Sequence, residues 1–161
     1  MTIKIGDAIP QAPLRHITAD GAQMTTSKEF FAGKTVALFG LPGAFTGTCS
    51  NQHLPGFLAQ EAALKAKGVD VIAMTAVNDH YVLAAWKRTT GADGHIEFLG
   101  DVDAAFAKAM GLEIDLSAGG LGLRSKRYAA LVKDGVVKIL NIEDSPGKAE
   151  ISSAANLLMA M

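Results

Sequence analysis

Two apolar runs constrain this chain most: Thr35-Val36-Ala37-Leu38-Phe39-Gly40 and Val69-Asp70-Val71-Ile72-Ala73-Met74-Thr75. Each has the length and apolar content of a buried strand. Between them lies a segment of helical composition, roughly Ser50 to Lys67, closed by Gly68. Strand, helix and strand at this spacing make a right-handed βαβ unit with parallel strands. Pro55 and Gly56 interrupt the helical segment, which predicts a kink or break there before it resumes at Phe57.

The flanking chain adds further elements. Residues 3–17 alternate loosely around Pro10 and Pro13, and a proline has no N–H for a ladder, so any strand here is short or at an edge. Asp20-Gly21 marks a hairpin-like turn. Ser27 is a candidate cap for a short helix ended by Gly33. Asp79 can cap a helix in which Val82, Ala85, Trp86 and Thr89 share a face, which puts Trp86 in the core. Ile96 to Leu99 reads as a strand and Asp103 to Met110 as a short helix. Residues 111–125 interleave Gly111, Gly119, Gly120 and Gly122 with Leu112, Ile114, Leu116, Leu121 and Leu123. That composition suggests an ordered apolar loop, divided between packing and pocket wall. Tyr128 to Val132 and Val136 to Ile142 flank Asp134-Gly135 as an antiparallel hairpin. Ser152 or Ser153 can open a C-terminal helix through Leu157, Leu158 and Met161. No repeat or boundary interrupts the order, so residues 1–161 are expected to form one domain. Its expected class is α/β: a thioredoxin-like three-layer fold with a mixed central sheet flanked by helices.

Composition excludes several functions. With 49% hydrophobic and 19% charged residues the chain can build a core and is not disordered. A formal charge of −1 gives no reason to expect nucleic acid or an anionic membrane surface as partner. The longest apolar runs are too short to span a bilayer, and Met1 to Gly6 lack the basic-then-apolar layout of a secretion signal. A single cysteine excludes an intrachain disulfide and a multi-cysteine zinc site. We expect no metal and no cofactor, and a reducing, cytoplasmic setting.

That cysteine, Cys49, lies where the turn after the first strand becomes the first helical turn. Unpaired N–H groups and the dipole at a helix start both favour a thiolate. His53 follows four residues later, on the same face of a regular helix. It reads either as the partner of a Cys–His nucleophile pair or as a histidine that hydrogen-bonds a loop and supports the pocket. Moving a thiol pKa from about 8.5 to about 6 takes roughly 3.4 kcal/mol, whereas a helix end supplies ~0.3–1, and up to ~2 when partly buried. A cation is needed as well. Arg15, Arg88, Arg124 and Arg127 are available.

Pro42, Thr46 and Cys49 have the spacing P-x-x-x-T-x-x-C, which resembles the peroxiredoxin active-site motif. The fuller string from Pro42 to Phe57, Pro-Gly-Ala-Phe-Thr-x-x-Cys-Ser-x-x-His-Leu-Pro-Gly-Phe, is similar to the type-5 branch. So are Gly122 to Tyr128 and Lys133 to Lys138, and the similarity covers nearly the whole chain. The resemblance implies a thiol peroxidase: Cys49 attacks a peroxide oxygen and becomes a sulfenic acid. It implies that Thr46 hydrogen-bonds the peroxide, that Pro42 covers the sulfur, and that Arg127 is the cation. Gly43, Phe45, Thr48, His53 and Arg124 are then expected to bind substrate or to support these residues from behind. Some type-5 members carry a second cysteine near the C-terminus, but here that region reads Glu150-Ile151-Ser152-Ser153-Ala154. Recycling would need an external thiol, glutathione with glutaredoxin first and thioredoxin second. The branch also implies a homodimer formed near the active-site turn, where Phe45 is apolar.

Three other readings compete with peroxide turnover: a redox sensor that uses the same Cys49 chemistry, a noncatalytic thioredoxin-fold interaction module, and a Cys49–His53 hydrolase. The hydrolase would need an orienting group such as Asn51, Asn78 or Asp79.

Overall fold

A computed structural model describes residues 1–161. Its centre is a seven-stranded mixed sheet in the order β2-β1-β5-β4-β3-β8-β9. The strands are β1 (Pro13–Thr18), β2 (Gly21–Thr26), β3 (Thr35–Gly40), β4 (Val71–Ala76), β5 (Glu97–Gly100), β8 (Tyr128–Lys133) and β9 (Val136–Ile142). The expected parallel unit is present: β3 pairs with β4, and β4 with β5, both parallel. The remaining pairings are antiparallel.

Because β3 is central, alternate residues enter different cores. Ala37 and Phe39 join one cluster with Phe57, Leu64, Trp86 and Leu157. These come from α2 (Leu54–Ala59), α3 (Glu61–Ala66), α4 (His80–Thr90) and α6 (Ala154–Ala160). Val36 and Leu38 join the other, with Phe30, Phe31, Phe106 and Met110 from α1 (Ser27–Phe31) and α5 (Ala105–Met110). The fold is thioredoxin-like, a mixed sheet between two helical layers. No helix is long and apolar enough to cross a membrane.

Four local expectations are corrected. β1 is not an edge strand, because β2 lies outside it; Pro13 is tolerated as its first residue. Thr26, not Ser27, caps α1 by accepting from the Glu29 N–H at 3.2 Å. The Ser27 hydroxyl is buried instead between the Ala12 N–H and the Pro10 carbonyl. Pro55 does not break its helix. The turn before it, Cys49–His53, widens to a π-helical turn in which the Leu54 N–H reaches the Cys49 carbonyl, and α2 follows directly with Pro55 in its first turn. The break comes later, at Gln60 (φ −100°, ψ 10°). Finally, residues 111–125 are not all loop: β6 (Glu113–Asp115) and β7 (Leu123–Ser125) pair antiparallel around a short 3₁₀ turn at Ser117–Gly119.

Candidate active site

The end of β3, the turn at 41–48 and the start of β8 converge on Cys49. Gly40 makes the convergence possible. It pairs with Tyr128 across β3 and β8, and a Cβ at Gly40 would stand 2.2 Å from the Tyr128 ring. With no side chain there, the Tyr128 ring packs against Gly40 in one cluster, while Arg127, just before it, reaches the thiol in the other.

Cys49 is fully buried. Arg127 is 2% exposed, and its three guanidinium nitrogens go to three acceptors. Nη2 donates to the Cys49 Sγ at 3.0 Å, Nη1 to His53 Nδ1 at 3.1 Å, and Nε to the Pro146 carbonyl at 3.0 Å. None is a carboxylate, and none of the three salt bridges in the molecule involves Arg127. Within this set only the sulfur can carry a negative charge. A buried guanidinium so placed can attract an anionic sulfur and fork onto the oxygens of a bound peroxide.

His53 is 1% exposed and its Nε2 faces the Ser152 carbonyl at 3.0 Å. A carbonyl accepts only, so Nε2 bears the proton and the bare Nδ1 accepts from Arg127. Burial, then the charge of Arg127, depresses the His53 pKa to about 3, against a smaller opposing effect of the Ser152 carbonyl. The hydrolase reading fails on this geometry. The Nδ1 lone pair is taken by Arg127, Asn78 Oδ1 accepts the Ala44 N–H, and Asp79 caps α4.

An open cleft of about 330 Å³ has Pro42, Thr46, Thr48, Leu116, Leu121 and Arg127 among its walls, and the buried Cys49 lies behind Arg127. The Thr46 hydroxyl donates to the Gly43 carbonyl at 2.7 Å, which leaves its oxygen free to accept. The Thr48 hydroxyl donates to the Gly147 carbonyl and ties the turn to the 145–147 loop. Arg124 does not bond the sulfur: Nη1 donates to the Pro42 carbonyl and Nε to that of Leu121. Gly43 leaves room for it, since a Cβ there would stand 2.6 Å from Arg124 Nη1. Phe45 is not a cleft wall. It is half-exposed at φ +64° and sits 6.4 Å from the ring of Trp86, whose Nε1–H reaches the Ser50 hydroxyl.

Two features of the site were missed by the sequence reading. Pro146 and Gly147 line the cleft and hold Arg127 and Thr48 through their carbonyls. Ser152 holds His53, and is itself held by the buried Glu143. Their contacts reach far along the chain, and neither stretch carries a local signal of this role.

A lone thiol at a helix start behind a thioredoxin-like sheet, with a guanidinium on its sulfur, defines a thiol enzyme of that fold. Comparison with known proteins narrows the class. Residues 4–158 match the Redoxin family. Over 160 residues the chain is 45% identical to peroxiredoxin-2C of Oryza sativa subsp. japonica, covering 99% of this chain and 98% of the relative. It is 47% identical over 165 residues to the chloroplastic peroxiredoxin-2E-2 of the same organism, covering 99% and 73%. The crystal structure of reduced Prx3 from Vibrio vulnificus in complex with hydrogen peroxide matches with a TM-score of 0.93 at 47% identity, covering 99% of each chain. The chain belongs to the peroxiredoxins, within the Redoxin family. It is a thiol peroxidase, an oxidoreductase that takes a peroxide as acceptor and a thiol as reductant.

Proposed function

We propose that the chain is a type-5, one-cysteine peroxiredoxin that reduces hydrogen peroxide and organic hydroperoxides at Cys49. The Cys49 thiolate attacks the terminal peroxide oxygen. The O–O bond breaks, its electron pair leaves with the other oxygen, and that oxygen takes a proton to become water or an alcohol. Thr46 accepts the peroxide O–H, Arg127 donates to the oxygens as charge develops, and Pro42 limits water around the sulfur. An external thiol then displaces hydroxide from the Cys49 sulfenic acid, releasing water once protonated. A second thiol frees Cys49 from the mixed disulfide. Cys49 has no second cysteine to pair with, so the reductant is external; glutathione with glutaredoxin is proposed first, by resemblance to the branch, and thioredoxin second.

The observation that carries this reading is the buried Arg127 guanidinium, without a carboxylate partner, 3.0 Å from the only sulfhydryl in the chain. The Vibrio relative's complex with hydrogen peroxide supports the smaller substrate. The Pro42 to Phe57 string supports the branch. Exposed Phe45, 54% accessible beside the active-site turn, supports association as a homodimer, which light scattering at micromolar concentration checks. A thiol recycled only by external thiols fits the cytoplasm, which fractionation tests.

Peroxide consumption is the deciding assay, run with glutathione plus glutaredoxin and separately with thioredoxin. The wild type should turn over with the first pair. Cys49→Ser should lose all but about a tenth or less of the rate while its circular dichroism is unchanged. Retained turnover in a folded Cys49→Ser variant would place the chemistry elsewhere.

A further inference from the structure

The region where a second cysteine is absent holds a different device. Glu143, the residue that follows β9, is 8% exposed, and Ser152 is fully buried. A single carboxylate oxygen, Glu143 Oε2, accepts both the Ser152 N–H at 2.6 Å and the Ser152 hydroxyl at 2.7 Å. Two bonds from one residue to one oxygen pin that residue's N–H and side chain, and with them its Cα, from which its carbonyl projects. The Ser152 carbonyl is thereby aimed at His53 Nε2, and the opposite ring nitrogen accepts from Arg127. The Glu143 N–H also donates to the Arg127 carbonyl at 3.0 Å, so the same residue anchors the arginine main chain.

We propose that Glu143 is a positioning residue for Arg127, acting through Ser152 and the imidazole of His53; this rests on the reading of Cys49 and Arg127 as the peroxide site. The logic is one of donors and acceptors. If the Ser152 carbonyl turns away, only the Arg127 contact itself still favours the proton on Nε2, and the other tautomer sets an N–H against the Arg127 N–H. Arg127 would then lose one of its three acceptors and swing about the remaining two. An arginine that must reach both a sulfur and a peroxide oxygen tolerates little such motion. Burial reinforces the arrangement, since His53 stays neutral and able to accept. A cap that merely fastened the 143–153 loop ahead of α6 would not require the carbonyl of the clamped residue to end on the ring that meets the catalytic guanidinium.

The test reads tautomer and rate together. In the wild type, nitrogen NMR of the His53 ring should show a neutral imidazole with the proton on Nε2 at pH 7. A protonated ring, or one with its proton on Nδ1, would overturn the proposal without any variant. Glu143→Ala should give mixed tautomers and a peroxide rate constant at least tenfold lower. Its iodoacetamide rate, measured at high pH where the thiol is ionised, should stay within about twofold, because alkylation needs no aligned donor. Glu143→Gln keeps an acceptor oxygen and should rescue most of the peroxide rate. Equal loss of both rates, or an unchanged tautomer with an unchanged peroxide rate, would make the contact structural only. If Glu143→Ala does not fold, Ser152→Ala, which keeps the backbone bond to Glu143, carries the comparison, with about a threefold peroxide-specific loss expected and none overturning it. A wild type with no peroxidase activity would sink the underlying reading instead, and the NMR result would still decide whether His53 is held as described.

Discussion

Arg127 is paired in the fold only with neutral acceptors and one sulfur. Arg124, three residues earlier, holds two carbonyls and braces the 41–48 turn against the 121–124 segment. Their substitutions should therefore separate. Arg127→Gln should slow the alkylation of Cys49 at neutral pH, since it removes a permanent cation 3.0 Å from the sulfur. Its peroxide rate should fall ~10²–10³-fold even where the thiolate is fully formed, because transition-state donors are lost as well. Arg124→Gln should leave the alkylation profile in place and cost less than about tenfold in rate. Alkylation and peroxide rates against pH, on both variants, decide it; full recovery of Arg127→Gln at high pH would mean that the arginine only tunes the thiol. At this scale Pro42, Thr46 and Cys49 were legible because they lie within one short string. Arg127 was legible only through family resemblance, as four arginines were equal candidates otherwise. Glu143 and Ser152 were not legible, because the bond that gives them meaning joins His53 to a residue 99 positions away.

The helix that begins at the thiol was misread at one point for a physical reason that also explains its use. A proline in a regular helix clashes with the carbonyl four residues back, so a kink or break was expected at Pro55. The chain widens the preceding turn instead, and the Leu54 N–H reaches five residues back to Cys49. A π turn takes one extra residue, and in this one Cys49 and His53 are buried while Asn51 and Gln52 are exposed. Deleting Asn51 tests this. The shortened turn should revert toward α-helix, rotate His53 away from Arg127 and lower peroxide turnover more than tenfold, with far-UV circular dichroism nearly unchanged. Undiminished turnover would show that the wide turn is incidental. The other elements were recognisable wherever a periodic apolar pattern met a cap or turn, as with Asp79 before α4 and Asp134-Gly135 between β8 and β9. The β6–β7 pair was missed because three-residue strands are too short to show a period.

Across the whole molecule, β3 contributes alternate residues to both hydrophobic clusters, so neither cluster can open without exposing the strand the other needs. Residues 1–161 should then unfold as one unit, with the fluorescence of Trp86, the only tryptophan, coinciding with far-UV circular dichroism in a denaturant series. The same experiment, repeated against pH, reads His53. Unfolded, its imidazole titrates near 6.5; folded, burial first and the Arg127 charge second hold it near about 3. Between those values the unfolded chain binds the extra proton, so acid favours unfolding. The His53 contribution is therefore complete above about pH 6.5, declines by at most ~1.4 kcal/mol per unit as pH falls, and levels below about 3. Glu97, depressed first by its bond from His16, adds its own acid sensitivity below its ordinary value of 4.5, so the window from pH 7.5 to 5 lies above it and comparison with His53→Gln removes what the other groups share. His53→Gln should be less stable than the wild type at pH 7, having lost the Arg127 contact, yet its stability should change less across that window. Parallel slopes for the two proteins would mean that the imidazole is not held neutral, and the acceptor role of Nδ1 toward Arg127 would fall with it.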